Sequence, residues 1–534
     1  MRTPPISPRN ALASALLGAL LAAAFAAAAD VPSFVGDDGG ITLRYAERIA
    51  EGRGFGYNDG ERVNGSSNPL YTLLLAAALR AGVAPASAVV AIGVASVAVA
   101  AGALVFAFAR RGSLAAAALA WLALVVSPFR TGLLFSGLES PLTLALACLA
   151  VAACGTSSAA FRGLAVGALV ANKLDGAAAA LALAASVAVC ERRLALREAA
   201  WALAAYLPVA ALQLAAFGSV LPNSAATKLA EHANAAFDRG WVVDGLLDHG
   251  AWQVVPAALA VLLQLHPRAR SRAGVFASVW LVLHVAVFSL VDLGAPYPWY
   301  LLAPTALLAP LAAIALLDGV ALAAAAASLG ARAAELARAT LVVLAAVVWV
   351  RPLAEYQLAP STPRTHLAPY AESDLARQAA GAWLRKHTSA TELLASPWGL
   401  PAYEYGGPVY DGTFLNSRPD EARFHAAMYY LGEFPSGAPS REALGAELVA
   451  FFRCGPRSVG YAVYARPASE VARARIAYLD APRDGLARDA DLRATDFKAV
   501  DARTAARIEG DVAGTDGYPA CRAPRDGEPD AHSP

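Results

Sequence analysis

The chain has 534 residues, 57% hydrophobic and only 16% charged, with a mean hydropathy of +0.47. That is too apolar for an ordinary soluble protein. The 43 basic and 42 acidic side chains leave a net charge of +1, so bulk charge recruits neither nucleic acid nor an anionic membrane face.

Taken in chain order, the first apolar run is Ala11–Ala29, preceded by Arg2 and Arg9. A helix crosses a hydrocarbon core with roughly 20 residues, and this run fits both a first crossing and a cleavable signal peptide. In either case the following segment emerges on the outer side. There Asp37 and Asp38 open a polar stretch that reaches Asn68. A helix is expected to start near Ile41, and either aspartate could cap it. Gly52-Arg53-Gly54-Phe55-Gly56 reads as a turn-rich loop, with Arg48 and Arg53 as surface charges.

Further along, Ser136-Gly137-Leu138-Glu139-Ser140-Pro141 brings a carboxylate to the mouth of an apolar span, where it either caps the helix or does chemistry. Phe161–Cys190 is long for one crossing and short for two. Arg162 and Arg192 both favour the cytoplasm, so a hairpin is expected with its tip at Asn172-Lys173-Leu174-Asp175-Gly176, which a Lys173–Asp175 pair could close. Leu221–Lys228 carries Asn223 and Lys228, the latter a ligand cation or an ordinary solvated lysine. Trp299 and Tyr300 sit just outside a span, either stacking on a sugar ring or lying in the interfacial aromatic belt.

Loop charge gives an orientation. Arg110-Arg111, Arg162, Glu191-Arg192-Arg193, the His266–Arg272 segment and Arg332 with Arg338 are basic, whereas the intervening loops are mixed or acidic. The positive-inside rule then predicts about eleven crossings, N-terminus cytoplasmic and C-terminus outside. The expected fold class is a polytopic α-helical membrane protein with a C-terminal extracytoplasmic α+β domain. Residues 1–350 form the membrane module, its first outer loop at 30–80; 351–510 form the soluble domain; and 511–534, rich in Gly, Pro and Asp, form a disordered tail. In the soluble part Ala371–His387 reads as an amphipathic helix, and Glu392–Ser396, Pro401–Tyr405 and Pro408–Asp411 as short strands and turns. Cys148, Cys154 and Cys190 read as apolar packing residues. If the C-terminal region is extracytoplasmic, Cys454 and Cys521 are the partners a disulfide could take there, a pairing that spacing leaves open.

Charged groups at membrane depth are costly, so they tend to be paired or functional. Four clusters fall on the predicted outer side: Asp37-Asp38 with Arg44 and Tyr45; Glu139; Lys173 with Asp175; and Asn223 with Lys228. Carboxylates and cations together suit transfer from an anionic leaving group, one carboxylate accepting the proton of an attacking hydroxyl and a cation stabilising the departing phosphate. His232 and His249 lack metal-ligand spacing, and no phosphate-cradling glycine motif occurs.

Asp37-Asp38-Gly-Gly-Ile41, Arg44-Tyr45-Ala46, Tyr57-Asn58-Asp59-Gly60-Glu61-Arg62-Val63 and Asn68-Pro69-Leu70-Tyr71 together resemble the first outer loop of bacterial GT-C glycosyltransferases, in particular the terminal arabinofuranosyltransferase-like branch. Ser136-Gly137-Leu138-Glu139, Leu221-Pro222-Asn223 with Lys228, and Trp398-Gly399 through Tyr403 resemble further segments of that branch. Four departures stand out. Gly39-Gly40 replaces an Ala-Tyr pair, and Asn64 replaces a Glu. Lys173 stands where relatives have Arg, and Pro298-Trp299-Tyr300 stands where many have an Arg-aromatic pair.

The resemblance implies an inverting transfer of a sugar, arabinofuranose or mannose-like, in a bacterial inner membrane. The donor would be a polyprenyl-phosphate sugar and the acceptor a cell-envelope glycan, lipid or protein on the outer side. Asp37 or Asp38 would be the base. Lys173, Lys228 and Arg44 would stabilise the phosphate, with Glu139 and Asp175 orienting hydroxyls or those cations. Tyr45, Glu61, Asn68, Asn223, Trp299 and Tyr300 complete the implied substrate contacts. No cofactor is required, although an acidic pair could hold one divalent cation. The rivals are a flippase or transporter of lipid-linked sugars, for which no inverted repeat is visible, and a degenerate, non-catalytic scaffold, suggested by Gly39-Gly40 and Lys173.

Overall fold

A computed structural model of the full chain describes residues 12–20, 36–110, 136–231, 254–290, 364–411, 421–434, 446–452 and 460–466, apart from a few positions within them, together with short pieces elsewhere. In chain order the helices are α1 (Asp37–Ala50), α2 (Pro69–Arg80), α3 (Pro85–Ala109), α4 (Ser140–Cys154), α5 (Ala159–Asn172), α6 (Ala177–Glu191), α7 (Leu196–Phe217), α8 (Asn223–Glu231), α9 (Val254–Leu263), α10 (Arg272–Leu290), α11 (Arg364–His387), α12 (Gly399–Tyr405) and α13 (Glu421–Ala426). The strands are β1 (Leu394–Ala395), β2 (Val409–Tyr410), β3 (Tyr429–Phe434), β4 (Glu442–Ala443), β5 (Ala446–Phe452), β6 (Gly460–Ala465), β7 (Ala477–Tyr478) and β8 (Lys498–Ala499). Packing divides the chain into two units: Met1–Val31, Ser66–Leu75 and Ala88–Pro360 form the first, and Pro32–Gly65, Ala76–Ser87 and Ser361–Pro534 the second. Residues 32–65, expected to belong to the membrane module, therefore pack with the C-terminal part of the chain.

In the first unit, helices carry the apolar runs. Among the described residues four helical segments are long and apolar enough to cross a membrane: Pro85–Ala109, Leu174–Glu191, Leu196–Phe217 and Arg272–Leu290. Shorter apolar helices lie at α2, α4, α5 and α9. Residues 111–135, 232–253, 291–299 and 341–363, where further crossings are expected, lie outside the described residues. The core is built largely from small side chains around Phe276, Trp280, Val166 and Leu169. Gly163 and Gly167, one turn apart on α5, bring α5 against α7. A Cβ at these positions would stand 2.3 Å from the Glu198 carbonyl oxygen and 2.2 Å from that of Ala202. Small residues at this spacing let helix backbones approach closely in an apolar setting, where dispersion rather than water exclusion drives association.

The Phe161–Cys190 segment resolves into two helices. Ser158 caps α5 by accepting the Phe161 N–H at 3.1 Å. The break falls at the expected tip, where Lys173 is extended (φ −152°, ψ 131°) before a 3₁₀ turn over Leu174–Gly176. At the other end of this hairpin, Arg162 is 1% exposed and ion-paired to Glu198 and Glu191. Arg193 joins both carboxylates, and Arg272 pairs with Glu191 while its Nε donates to the Cys154 carbonyl at 2.8 Å. Three of the basic loops thus meet in one network, in which buried Arg162 has the carboxylates that burial demands.

The second unit is a sheet covered by α11, with α1 as a companion. The sheet has eight strands in the order β2-β1-β3-β6-β5-β7-β8, with β4 on β5. Strands β1, β2 and β3 run parallel, and β3, β6 and β5 antiparallel. Buried Ala376, Ala379, Ala380, Trp383 and Leu384 give α11 its inner face. The stretch Pro401–Tyr405, expected as strand or turn, belongs to helix α12, fully buried along its length. Of the cysteines, Cys148 and Cys154 are buried and Cys190 is half-buried, whereas Cys454, Cys521 and the 511–534 tail lie outside the described residues.

Two further expectations are corrected here. Helix α1 begins at Asp37, not near Ile41, with Gly36 at the N-cap position and both aspartates within the first turn. Gly39 and Gly40 lie inside it. A Cβ on Gly40 would meet Leu400 N at 2.7 Å and Gly399 C at 2.8 Å, and one on Gly399 would meet the Asp37 carbonyl oxygen at 2.3 Å. Gly40 therefore serves close backbone approach, which outweighs its weak helix propensity. Arg48, expected at the surface, is 4% exposed and paired with Asp59. Left-handed Gly52 (φ +77°) and Gly54 (φ +92°) shape the turn-rich loop that follows.

Because Gly40 faces backbone rather than a yielding side chain, Gly40→Ala is expected to destabilise the second unit by about 1–3 kcal/mol, the usual cost of overpacking. Limited proteolysis of the purified full chain should show faster cleavage within 361–466; an unchanged rate would refute the contact.

Candidate functional site

Of the charged residues singled out in the sequence, Glu139 and Lys173 meet in the first unit, and Asp37, Asp38 and Arg44 share one helix of the second. In the first unit the cluster is built on the ends of α4 and α5 and the start of α2. Glu139 occupies the N-cap position of α4 but makes no side-chain cap. Its carboxylate turns elsewhere: Oε2 accepts from Asn68 Nδ2 at 3.0 Å, and Oε1 accepts from Lys173 Nζ at 2.5 Å. Lys173, at the break between α5 and α6, is 8% exposed, with its ammonium 4.7 Å above the Tyr300 ring. A cation over an aromatic face is held by the ring quadrupole, more strongly when desolvated.

Supporting groups fix these side chains. Asn68 Oδ1 accepts from Thr72 Oγ1 at 3.0 Å and Ser66 Oγ at 3.3 Å. Asn172 Nδ2 donates to Thr143 Oγ1 at 2.9 Å, and His284 Nε2 donates to the Tyr300 carbonyl at 3.0 Å. Asn172 Oδ1, Ser140 Oγ and Tyr71 Oη are buried without a hydrogen-bond partner. Asp175 is half-buried in the 3₁₀ turn, and Asn223 half-buried at the start of α8. The Lys228 side chain and Trp299 lie outside the described residues.

In the second unit, Asp37 and Asp38 occupy the first turn of α1, where helix partial charge favours carboxylates. Asp37 Oδ1 accepts the Leu400 N–H at 3.0 Å. Arg44, two turns on, is 4% exposed and fully engaged. Its Nε donates to the Tyr57 carbonyl at 2.8 Å and Nη1 to that of Ala402 at 2.5 Å. Nη2 donates to Asn58 Oδ1 at 3.0 Å and to the Gly407 carbonyl at 2.7 Å. Tyr45, fully buried, donates to the Val63 carbonyl at 3.0 Å and accepts from Gly65 N at 3.1 Å.

The Tyr57–Val63 motif has a structural use. Asn58 pairs with β2 through both faces of its amide, donating to the Val409 carbonyl at 2.7 Å and accepting from Val409 N at 3.0 Å. Glu61 accepts from Asn58 Nδ2 at 3.0 Å and pairs with Arg423. Arg53 and then Arg48 hold the Asp59 carboxyl down at about 2 by hydrogen bonding. This loop is thus stitched to the C-terminal part of the second unit by its own polar residues.

Two residues escaped the sequence reading. Asp374 on α11 is 6% exposed, and Arg377 Nη1 donates to its Oδ1 at 2.8 Å. Burial pushes the Asp374 carboxyl up to about 7 against the opposing pull of Arg377, with the negative charges of Asp37 and Asp38 adding to the rise. The i,i+3 spacing of an acid and a base on one helix is the signal that could have found them. Among the described residues no three His, Cys, Asp or Glu side chains gather as a metal site would require.

No protein-family model matches the sequence, and no curated protein matches it. Solved structures do. The crystal structure of ArnT from Cupriavidus metallidurans in the apo state matches with a TM-score of 0.54 at 16% identity, covering 87% of this chain and 98% of that one. The same protein bound to undecaprenyl phosphate matches with a TM-score of 0.52 at 17% identity, over the same shares. A weaker likeness, TM-score 0.47 at 12% identity over 79% of this chain and 67% of that one, is to the Archaeoglobus fulgidus oligosaccharyltransferase. At these identities the likeness is one of fold: the chain shares the fold of ArnT from Cupriavidus metallidurans.

Proposed function

We propose that the protein is a membrane glycosyltransferase of the GT-C type that takes its sugar from a polyprenyl-phosphate donor. The observation that carries the reading is the buried Lys173 ammonium, held between Glu139 and the Tyr300 ring, in a chain with the fold of a protein crystallised with undecaprenyl phosphate. A desolvated cation at membrane depth is costly without a task, and neutralising the phosphate of a lipid carrier is one that repays it.

In finer detail, the acceptor is a cell-envelope glycan, lipid or protein on the outer side of a bacterial inner membrane, and the donor sugar is arabinofuranose or mannose-like. The N-terminus is cytoplasmic and the C-terminal domain extracytoplasmic. Asp37, with Asp38 beside it, deprotonates the attacking hydroxyl. The hydroxyl displaces the polyprenyl phosphate in one step, which inverts the anomeric centre. Lys173 and Lys228 take up the charge of the leaving phosphate, so no metal is required. Glu139, Asn68 and Asp175 orient Lys173 and the sugar hydroxyls, and the unpartnered polar atoms of Asn172, Ser140 and Tyr71 suit further hydroxyls. Trp299 and Tyr300 supply apolar faces, and Asn223 a polar edge. Arg44, whose guanidinium already makes four hydrogen bonds inside its own unit, is assigned a structural role along with Tyr45 and Glu61.

The test is the envelope of a deletion strain. Its glycans should lack one terminal sugar, and the matching polyprenyl-phosphate sugar should accumulate. An unchanged glycan profile together with an unchanged lipid-sugar pool would overturn the reading, and a donor stranded on the inner leaflet would point to a flippase instead.

A further inference from the structure

Lys173 has a brace that the mechanism above leaves without a role. Helix α10 packs against both α4, which starts just after Glu139, and α6, which follows the turn after Lys173. His284 and Phe288 lie one turn apart on α10, and both are buried. Both reach Tyr300. The His284 ring, 2% exposed, donates from Nε2 to the Tyr300 carbonyl at 3.0 Å. The Phe288 ring centroid lies 5.1 Å from that of Tyr300 and 4.5 Å from that of His284. Backbone and ring of Tyr300 are thus both held by α10, and the Tyr300 ring carries the Lys173 ammonium 4.7 Å from its centroid. The contacts run unbroken from His284 to Glu139, all within the first unit.

We infer that His284 is a positioning residue for Lys173: with Phe288 it fixes the place and tilt of the Tyr300 ring, and the ring fixes the ammonium that meets the leaving phosphate. The inference deepens the proposed transferase reading and rests on it for its consequence. A lysine ammonium is a point charge on a flexible four-carbon stem, and one ion pair leaves it free to swing about its partner. A ring face on a second side gives it two fixed contacts. Of its three N–H groups Glu139 Oε1 accepts one, so a phosphate oxygen can accept another without breaking the pair. The donor phosphodiester carries one negative charge. As the acceptor oxygen bonds to the anomeric carbon, the electron pair of the broken bond stays on the phosphate oxygen and adds a second. A well-placed ammonium therefore acts most strongly in the transition state, and a misplaced one costs turnover more than donor affinity.

The experiment has two readouts on the purified full chain in detergent. Wild type is compared with His284→Phe, which keeps a ring beside Phe288 but deletes the N–H donor, and with His284→Gln, which returns an N–H at the same reach. Phe288→Leu, which leaves the hydrogen bond in place, carries the same comparison if His284→Phe does not fold. The first readout is acetylation of Lys173 by succinimidyl acetate, followed by mass spectrometry. It should rise several-fold in His284→Phe and Phe288→Leu and stay near wild type in His284→Gln. The second is steady-state transfer from synthetic polyprenyl-phosphate arabinofuranose or mannose. In His284→Phe kcat should fall about tenfold with KM within about twofold of wild type, and His284→Gln should recover most of the loss. In a Lys173→Met background the same His284→Phe change should alter the residual rate by less than about twofold, since residues that act through one another are not additive. An equal fall in both backgrounds would overturn the inference, as would unchanged Lys173 acetylation in the folded variants. If neither donor supports transfer even in wild type, the function reading fails while the acetylation pattern still decides the role of His284.

Discussion

Lys173→Met is expected to lower sugar transfer by about 100- to 1,000-fold, the usual consequence of removing one preorganised group that stabilises an oxyanion. Lys173 is 8% exposed, and the partners of its ammonium are Glu139 and the Tyr300 ring. Loss of Lys173 also strands Glu139 as a buried unpaired carboxylate, which by itself destabilises the protein. The double variant Glu139→Gln, Lys173→Met separates the two effects. It should recover most of the thermal stability of wild type in detergent and none of the transfer. Lys173→Arg should keep activity or raise it, since a guanidinium binds phosphate through two parallel hydrogen bonds. Turnover by the double variant near the wild-type rate would remove Lys173 from the mechanism. A dead Lys173→Arg in a folded protein would favour a scaffold without catalysis.

The second large effect is expected at Asp37. Asn keeps an oxygen to accept the Leu400 N–H but cannot take a proton from the acceptor. Asp37→Asn should therefore leave the fold intact and reduce transfer by about 100- to 10,000-fold, the contribution of a positioned general base. Asp38→Asn, in the same turn, should cost less. Appearance of the lipid-linked donor on the outer leaflet should be unaffected in either variant. Transfer that survives in Asp37→Asn while it is lost in Asp38→Asn would exchange the two roles. Loss of donor movement together with transfer would return the transporter reading.

The comparison of sequence with structure is instructive residue by residue. Apolar run length and loop charge located the helices of the first unit, including the break at Lys173, because span length and charge asymmetry are written locally. The Glu139–Lys173 pair was within reach only as two separate candidates, since the sequence offered Asp175 as the nearer partner and a cap as the simpler use of Glu139. The surroundings of Arg44 were not legible in the sequence for a physical reason. An arginine in a polar stretch looks the same whether its donors meet a phosphate or four acceptors folded around it, two of them from Ala402 and Gly407 more than 350 positions away. The start of α1 was missed because Gly39-Gly40 is a poor helix sequence by intrinsic propensity, and only the tertiary approach of α12 shows why it is tolerated. Likewise Pro401–Tyr405 reads as strand or turn in the sequence, although proline is accepted in a first helical turn.

That close approach makes two distant positions a single design variable. Gly40 and Gly399 each leave the space that the other helix's backbone occupies, so neither position can gain a side chain while the other helix stays where it is. An aromatic introduced at position 40 alone would thus be half of a two-part change and would drive apart the backbones that hold Asp37 to the amide of Leu400.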